Sequence, residues 1–243
     1  MGTVVSLDIY SPEGETIDSL SATVALRRRM HRVDAVFSTY REHSPISRLR
    51  RGEVELAELP PEVAEVLALC EHARTLTDGW FDPWAIPGGV DPTGLVKGWS
   101  VERALDDLVA LDFGRLVINA GGDIATRGAP EEGVLWRFGI QDPHHAERLA
   151  GVVLVEHAIA TSGTYERGAH LYDPVAHRAR HAVASATVVG PDLALADACA
   201  TALCVAGPEL LESFAAEGYL SMVITDRGER LLGEGFPLDG ALA

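Results

Sequence analysis

Apolar residues recur along this chain with two different periods, and the changes of period divide it into elements. From Thr16 to Phe37, the residues Ile17, Leu20, Val24, Met30, Val33, Val36 and Phe37 return at helical spacing, which predicts one long amphipathic helix. Pro60-Pro61 opens a second helical pattern through Val63, Val66 and Leu67, expected to end before Asp78-Gly79. A further helix fits 99–111. Another runs from Pro191-Asp192 to about Val205, and Pro208 opens one more to about Ala216. Residues 3–10 alternate weakly and read as a strand. Leu116-Val117-Ile118-Asn119 reads as a buried strand that runs into Ala120-Gly121-Gly122-Asp123. Further strands are expected near 134–141, 151–160 and 182–189, with a closing hairpin of 219–225 and 229–233 around Asp226-Arg227-Gly228. Residues 79–98 are rich in Gly and Pro and read as a loop. Strands and helices come in clusters more than in strict alternation, which predicts an α+β fold. Neither an internal repeat nor a linker-like stretch interrupts the pattern, so a single domain over 1–243 is expected.

Composition narrows the function classes. The chain has 243 residues, 47% of them apolar, enough to bury a core without a metal or disulfide staple. Its net charge of −16 disfavours a general binder of nucleic acid or anionic membrane. Any phosphate it binds must meet a local cation, a metal or backbone N–H groups. Cys70, Cys199 and Cys204 have no C-x-x-C spacing and are expected to be small buried apolar residues. No apolar run reaches the ~18 residues of a membrane span. The first residues lack a basic segment and a cleavage site, so a cytoplasmic protein is expected.

A strong bias toward Arg, Ala, Gly and Val makes a few residues conspicuous. All but one of the 20 basic residues are arginines, and the exception is Lys97. Asn119 and Gln141 are the single Asn and Gln. Lysine is a compact point charge on a flexible stem and does not exchange freely with arginine at a phosphate or carboxylate. Its setting, Asp91-Pro92-Thr93-Gly94-Leu95-Val96-Lys97-Gly98, points to a site rather than to a solvated helix face. Asp82-Pro83 and Asp91-Pro92 flank this segment, and proline holds each preceding Asp in an extended pose. Either can equally be an ordinary turn starter. Asp197 and Thr201 lie at i, i+4 among Ala, Leu and Cys residues, so they share one face of an otherwise apolar helix. A carboxylate there is costly unless paired or bound to metal, and carboxylate with hydroxyl suits Mg²⁺. The alternative is an Asp favoured by the helix dipole and a Thr bonded to a backbone carbonyl. The Gly121-Gly122 pair lets backbone approach a ligand, or simply makes a tight hairpin. His170, three residues before Asp173-Pro174, is a natural proton acceptor. Rossmann, P-loop, zincin and α/β-hydrolase signatures are absent.

The ordered set Met1-Gly2-Thr3, Phe37-Ser38-Thr39-Tyr40, Asp78 to Pro83, Asp91 to Gly98, Asn119 to Asp123, Ala160 to Thr164, His170 with Asp173-Pro174, and Ala196-Asp197 to Thr201-Ala202 resembles the FAD:protein FMN transferase (ApbE) family. The resemblance implies an α+β fold that binds FAD and Mg²⁺. It implies transfer of FMN from FAD to a Thr or Ser hydroxyl of a target flavoprotein, with release of AMP. By position, Met1, Tyr40, Trp80, Phe81, Asp82, Asp91, Lys97 and Tyr172 match flavin-site positions. Asp197, Thr201 and the carbonyl of Gly94 match metal ligands. Lys97 would stabilise charge as AMP leaves, and His170 would act as base toward the incoming hydroxyl. The connection 84–90 is shorter than in many members, and Ala200 stands where some have a second acid. Two other readings remain open at this point: a Mg²⁺-dependent FAD pyrophosphatase giving FMN and AMP, and a flavin-binding protein without turnover.

Overall fold

Near-continuous burial along the central strands reflects one sheet packed against different layers on its two faces. A computed structural model describes residues 3–11, 18–164 and 171–240. The strands are β1 (Val5–Ile9), β2 (Leu116–Ala120), β3 (Asp123–Arg127), β4 (Trp136–Asp142), β5 (His145–Val155), β6 (Ala158–Gly163), β7 (Tyr172–Asp173), β8 (Arg178–Ala179), β9 (Ser185–Gly190), β10 (Leu220–Ile224) and β11 (Arg230–Leu232). Seven of them form an antiparallel sheet in the order β1-β2-β3-β6-β9-β10-β11. β4 with β5 and β7 with β8 form separate hairpins.

Successive side chains of a strand point to opposite faces. On one face, Ala125, Ala158, Ala160, Ala186, Val188 and Val223 join a large core with the helices. On the other, Ile159, Val189, Met222 and Ile224 pack with Ile140, Val153 and Val155 of the β4–β5 hairpin. The helices wholly within the described residues are α1 (Ser19–Phe37), α2 (Pro45–Arg50), α3 (Pro61–Leu76), α4 (Thr93–Val109) and α5 (Leu193–Ala206). α5 lies on the alanine-rich face, and every one of its residues except Thr201 is buried. Small side chains on the sheet let this helix sit close to the backbone. The mixed α+β architecture agrees with the periodicity.

Several elements differ from the sequence reading, each for a local reason. The helix expected over 99–111 begins at Thr93, so Lys97 and Gly98 are helical. Asp91 starts it: its Oδ1 accepts from the Thr93 backbone N–H at 3.1 Å and from the Thr93 hydroxyl at 2.6 Å. Gly94 and Gly98 are contact points there rather than helix breakers. A Cβ on Gly98 would lie 2.5 Å from the Leu193 carbonyl oxygen, and one on Gly94 would meet the Phe81 ring at 3.1 Å. The single strand expected over 151–160 is two strands, β5 and β6, in different sheets. The helix expected after Pro208 is two short 3-10 turns, Pro208–Leu210 and Ala215–Glu217. The first helix begins at Ser19, where the Asp18 carboxylate accepts from the Ser21 N–H at 3.0 Å. α2 and the β7–β8 hairpin carry no period long enough to read. All three cysteines are buried and free, and burial pushes the Cys70 and Cys204 thiols up to about 12. Among the described residues, no helix is long and apolar enough to cross a membrane.

The Gly98 contact yields a test. Alanine normally stabilises a helix interior by ~1 kcal/mol over glycine. At Gly98 its methyl would press on the rigid backbone of Leu193 and Ala194. Gly98→Ala is therefore expected to destabilise by about 1–3 kcal/mol, the usual cost of overpacking. Gly114→Ala, with nothing within 4 Å of the added carbon, is expected to stay within ~0.5 kcal/mol. Urea unfolding of the two variants beside the parent checks both.

Candidate active site

Two helices are clamped together at one end, and the clamp brings their polar residues into register. Gly98 and Glu102 lie one turn apart on α4 and both touch the start of α5. Gly98 admits the backbone of Leu193 and Ala194. One Glu102 carboxylate oxygen accepts from the Leu193 N–H at 2.7 Å, and the other accepts from Arg127 of β3 at 2.7 Å. A carboxylate at a helix N-terminus also meets the positive end of the helix dipole. Burial raises the affinity of Glu102 for a proton, and Arg127 opposes that shift. Asp192 completes the cap by accepting from the Leu195 N–H at 3.0 Å.

Lys97 projects from the clamped part of α4 into a small acidic cluster. Its ammonium pairs with Asp123, the first residue of β3, and lies 3.8 Å from a carboxylate oxygen of Asp197 on α5. Lys97 is 27% exposed on its side chain, whereas Asp123 is 0% and Asp197 7% exposed. Solvent therefore reaches this cluster through the lysine. The other oxygen of Asp123 accepts from the Thr161 N–H of β6 at 3.1 Å. Burial pushes the Asp123 carboxyl above its usual range, and Lys97 and the Thr161 N–H pull against it. Thr201 lies one turn beyond Asp197 on α5, with its hydroxyl 3.3 Å from that of Ser162 on β6. One end of the sheet thus gathers Lys97, Asp123, Ser162, Asp197 and Thr201.

The remaining expected residues divide into two groups. A segment beside the start of α4 holds Phe81, Asp82, Asp91 and Gly94. The Asp91 N–H donates to the Pro83 carbonyl at 2.9 Å, so the two Asp-Pro pairs are tied together. Arg50 of α2 fastens the connection between them, donating to Asp91 at 2.8 Å, Pro87 O at 3.2 Å and Gly88 O at 3.3 Å. The Asp91 carboxylate is thus engaged in starting α4 and holding Arg50. Asp82 accepts from the Trp84 N–H at 2.8 Å and lines a cleft of about 280 Å³ with Glu71, Arg74 and Trp84. Phe81 is buried beneath Gly94, and Trp80 is half-buried. The other group is dispersed. Tyr40 is 99% exposed after α1, and Tyr172 lies on the β7–β8 hairpin with its hydroxyl 3.4 Å from His177 Nδ1. Met1 and His170 lie outside the described residues. The cluster also holds Asp123 and Ser162, which the sequence reading does not single out as candidate site residues. The signal for Asp123 was its place directly after a Gly-Gly turn at the end of a buried strand.

The donors fit the metal that the resemblance implies. A buried carboxylate on Asp197 and a hydroxyl on Thr201 are hard oxygen ligands on one helix face. Among the described residues, no three His, Cys, Asp or Glu side chains gather as a metal cage. Hard oxygen donors of this kind suit Mg²⁺, which keeps waters and shares its shell with substrate phosphates.

Known proteins place the chain. The sequence pattern of the ApbE family matches residues 1–88 and 86–224. A protein of Rhodobacter capsulatus named FAD:protein FMN transferase is 34% identical over 193 residues, covering 71% of this chain and 36% of that protein. One of Escherichia coli K12 with the same name is 32% identical over 152 residues, covering 58% of this chain and 43% of its own length. The matched stretch is thus less than half of each of these relatives. In three dimensions, the ApbE protein of Thermotoga maritima superposes with a TM-score of 0.85 at 23% identity, covering 96% of this chain and 94% of that one. The flavin transferase ApbE of Vibrio cholerae gives 0.80 at 24% identity, covering 97% and 95%. The family pattern spans nearly the whole chain, and the fold agrees with it from β1 to β10: the chain belongs to the ApbE family.

Proposed function

We propose that this chain transfers FMN from FAD to a Thr or Ser hydroxyl of a target flavoprotein, with Mg²⁺ as cofactor and AMP as the second product. The observation that carries the reading is the convergence of Lys97, Asp197 and Thr201 on two clamped helices of an ApbE-family chain. Its electrostatics support a metal. Among the described residues, Lys97 with Asp123 and Asp197 is formally one negative charge in a chain of net −16, which by itself repels a pyrophosphate. Asp197, Thr201 and the Gly94 carbonyl would hold a divalent cation, which would reverse that sign and supply charge neutralisation at the phosphates.

In the transfer, the acceptor oxygen bonds to the phosphorus on the FMN side of the pyrophosphate. The bond from that phosphorus to the bridging oxygen breaks, and AMP takes the bridging oxygen and its electron pair. The acceptor hydroxyl gives up its proton, with His170 assigned as the base. Lys97 faces the phosphates and stabilises the charge that accumulates as AMP departs. Phosphoryl transfer of this kind needs positioning and charge more than covalent help. Tyr40, Trp80, Phe81 and Tyr172, with Met1, Asp82 and Asp91, are assigned to the flavin side. Phe81 would act there from beneath the surface, by shaping the floor at Gly94.

Incubation of the protein with FAD, Mg²⁺ and a candidate flavoprotein domain is expected to give covalent flavin on that domain by mass spectrometry. Free FMN without an adduct would instead identify a pyrophosphatase, and bound, unconverted FAD would identify a binder without turnover.

Two substitutions test the assigned roles. Asp197→Asn keeps the shape but removes the charge, and it is expected to lower Mg²⁺-dependent turnover by more than about tenfold while the melting temperature holds. Turnover at the parent level would remove the carboxylate from the metal site. Lys97→Arg is expected to lower turnover about tenfold, or ~1.4 kcal/mol of transition-state stabilisation, because a planar guanidinium does not fit the compact pairing with Asp123. Parent rates at saturating FAD and Mg²⁺ would refute this.

A further inference from the structure

The chain's single asparagine braces the turn that presents the buried carboxylate paired with its single lysine. Asn119 is the penultimate residue of β2. Its side-chain carbonyl accepts from the Gly122 N–H at 2.8 Å, across the turn that links β2 to β3. Gly121 and Gly122 both have positive φ, +66° and +97°, a conformation for which glycine is suited. The turn therefore has a fixed shape, and it delivers Asp123 as the first residue of β3. Asp123 faces the helices, is fully buried, accepts from Thr161 with one oxygen and pairs with Lys97 through the other. A buried carboxylate is costly, and replacing such pairs by apolar residues often stabilises a protein. Stability alone gives no reason to keep this one. Lys97 has four rotatable bonds, and pairing with Asp123 narrows the arc its ammonium can sweep at the mouth of the cluster.

We propose that Asp123 is a positioning residue for Lys97 and that Asn119, by bracing the Gly-Gly turn, sets where Asp123 stands. The contact series Asn119, Gly122, Asp123, Lys97 fixes the ammonium beside Asp197. This deepens the transferase reading, on which only its kinetic arm rests. Removing the Asp123 charge makes the cluster less negative, so FAD binding does not weaken. The ammonium loses its closer carboxylate and keeps the 3.8 Å approach to Asp197, so it is held less firmly where charge develops and turnover falls. A loss of packing would act the other way, weakening FAD binding and stability together.

The chain's one lysine makes the test direct. Protein labelled with ¹³C-lysine, without lysine in any tag, gives one side-chain Cε–Hε signal. In the parent that signal is expected away from the position of a solvated lysine. In Asp123→Asn and in Asn119→Ala it is expected to move toward that position. Kinetically, Asp123→Asn is expected to lower kcat about tenfold or more with the KM for FAD unchanged or lower, and to cost nothing further when added to Lys97→Ala. A parent signal at the solvated position overturns the proposal, and this needs no variant to fold. So does a signal that stays at its parent position in either variant, an unchanged kcat, or losses from Asp123→Asn and Lys97→Ala that add in full. If the parent protein shows no transfer at all, the transferase reading fails, and the lysine signal still decides whether the contact series exists.

Discussion

The close approach of α4 to α5 at Gly98 is the constraint on which the site depends. Without a side chain at that position the α5 backbone comes close enough for Glu102 to cap its first N–H. Lys97, one residue before the contact, then reaches across to Asp197, one turn into α5. The alanine-rich face of the sheet continues the same geometry, because Ala125, Ala158, Ala160 and Ala186 leave room for a helix buried almost all round. Small residues here act as spacers. They set a distance between backbones that larger core residues would widen, and the polar groups borrow that distance.

Charge is arranged against the usual economy of a core. Asp123 and Asp197 are withdrawn from water beside a single ammonium, in a protein already strongly acidic. Glu102 is handled differently. It is shared between a helix N-terminus and Arg127, so its partners are complete within the fold. Among the described residues, the Lys97 cluster has two carboxylates for one cation, and it opens toward solvent through the lysine. One arrangement closes on itself as structure. The other retains an excess of negative charge suited to a divalent cation and, through it, to a phosphate ligand.

How far the sequence disclosed this depends on the kind of signal. Long periodic segments such as α1 and α3 were legible because their apolar faces repeat over several turns. Asp197 and Thr201 were legible because polar residues stand out on a helix that is otherwise apolar. Lys97 was legible as an exception to the arginine bias, yet its helix was not, since Gly94 and Gly98 look like loop residues until their contacts with Phe81 and Leu193 are known. Asp123 was hidden for a related reason. The Gly-Gly turn ahead of it marks the position, but its pairing with Lys97 across 26 positions is encoded in no local pattern. The division of 151–160 into two strands was likewise set by which sheet each half joins.

Where a divalent cation and the FAD pyrophosphate bind decides the chemistry of the cluster most directly. Crystals grown with FAD and Mn²⁺, measured at a wavelength where manganese scatters anomalously, would locate both. The expected result is an anomalous peak against Asp197 and Thr201, with the pyrophosphate on the same side and the Lys97 ammonium turned toward it while still in contact with Asp123. A peak elsewhere, or FAD bound away from an undisturbed Lys97–Asp123–Asp197 cluster, would contradict the account.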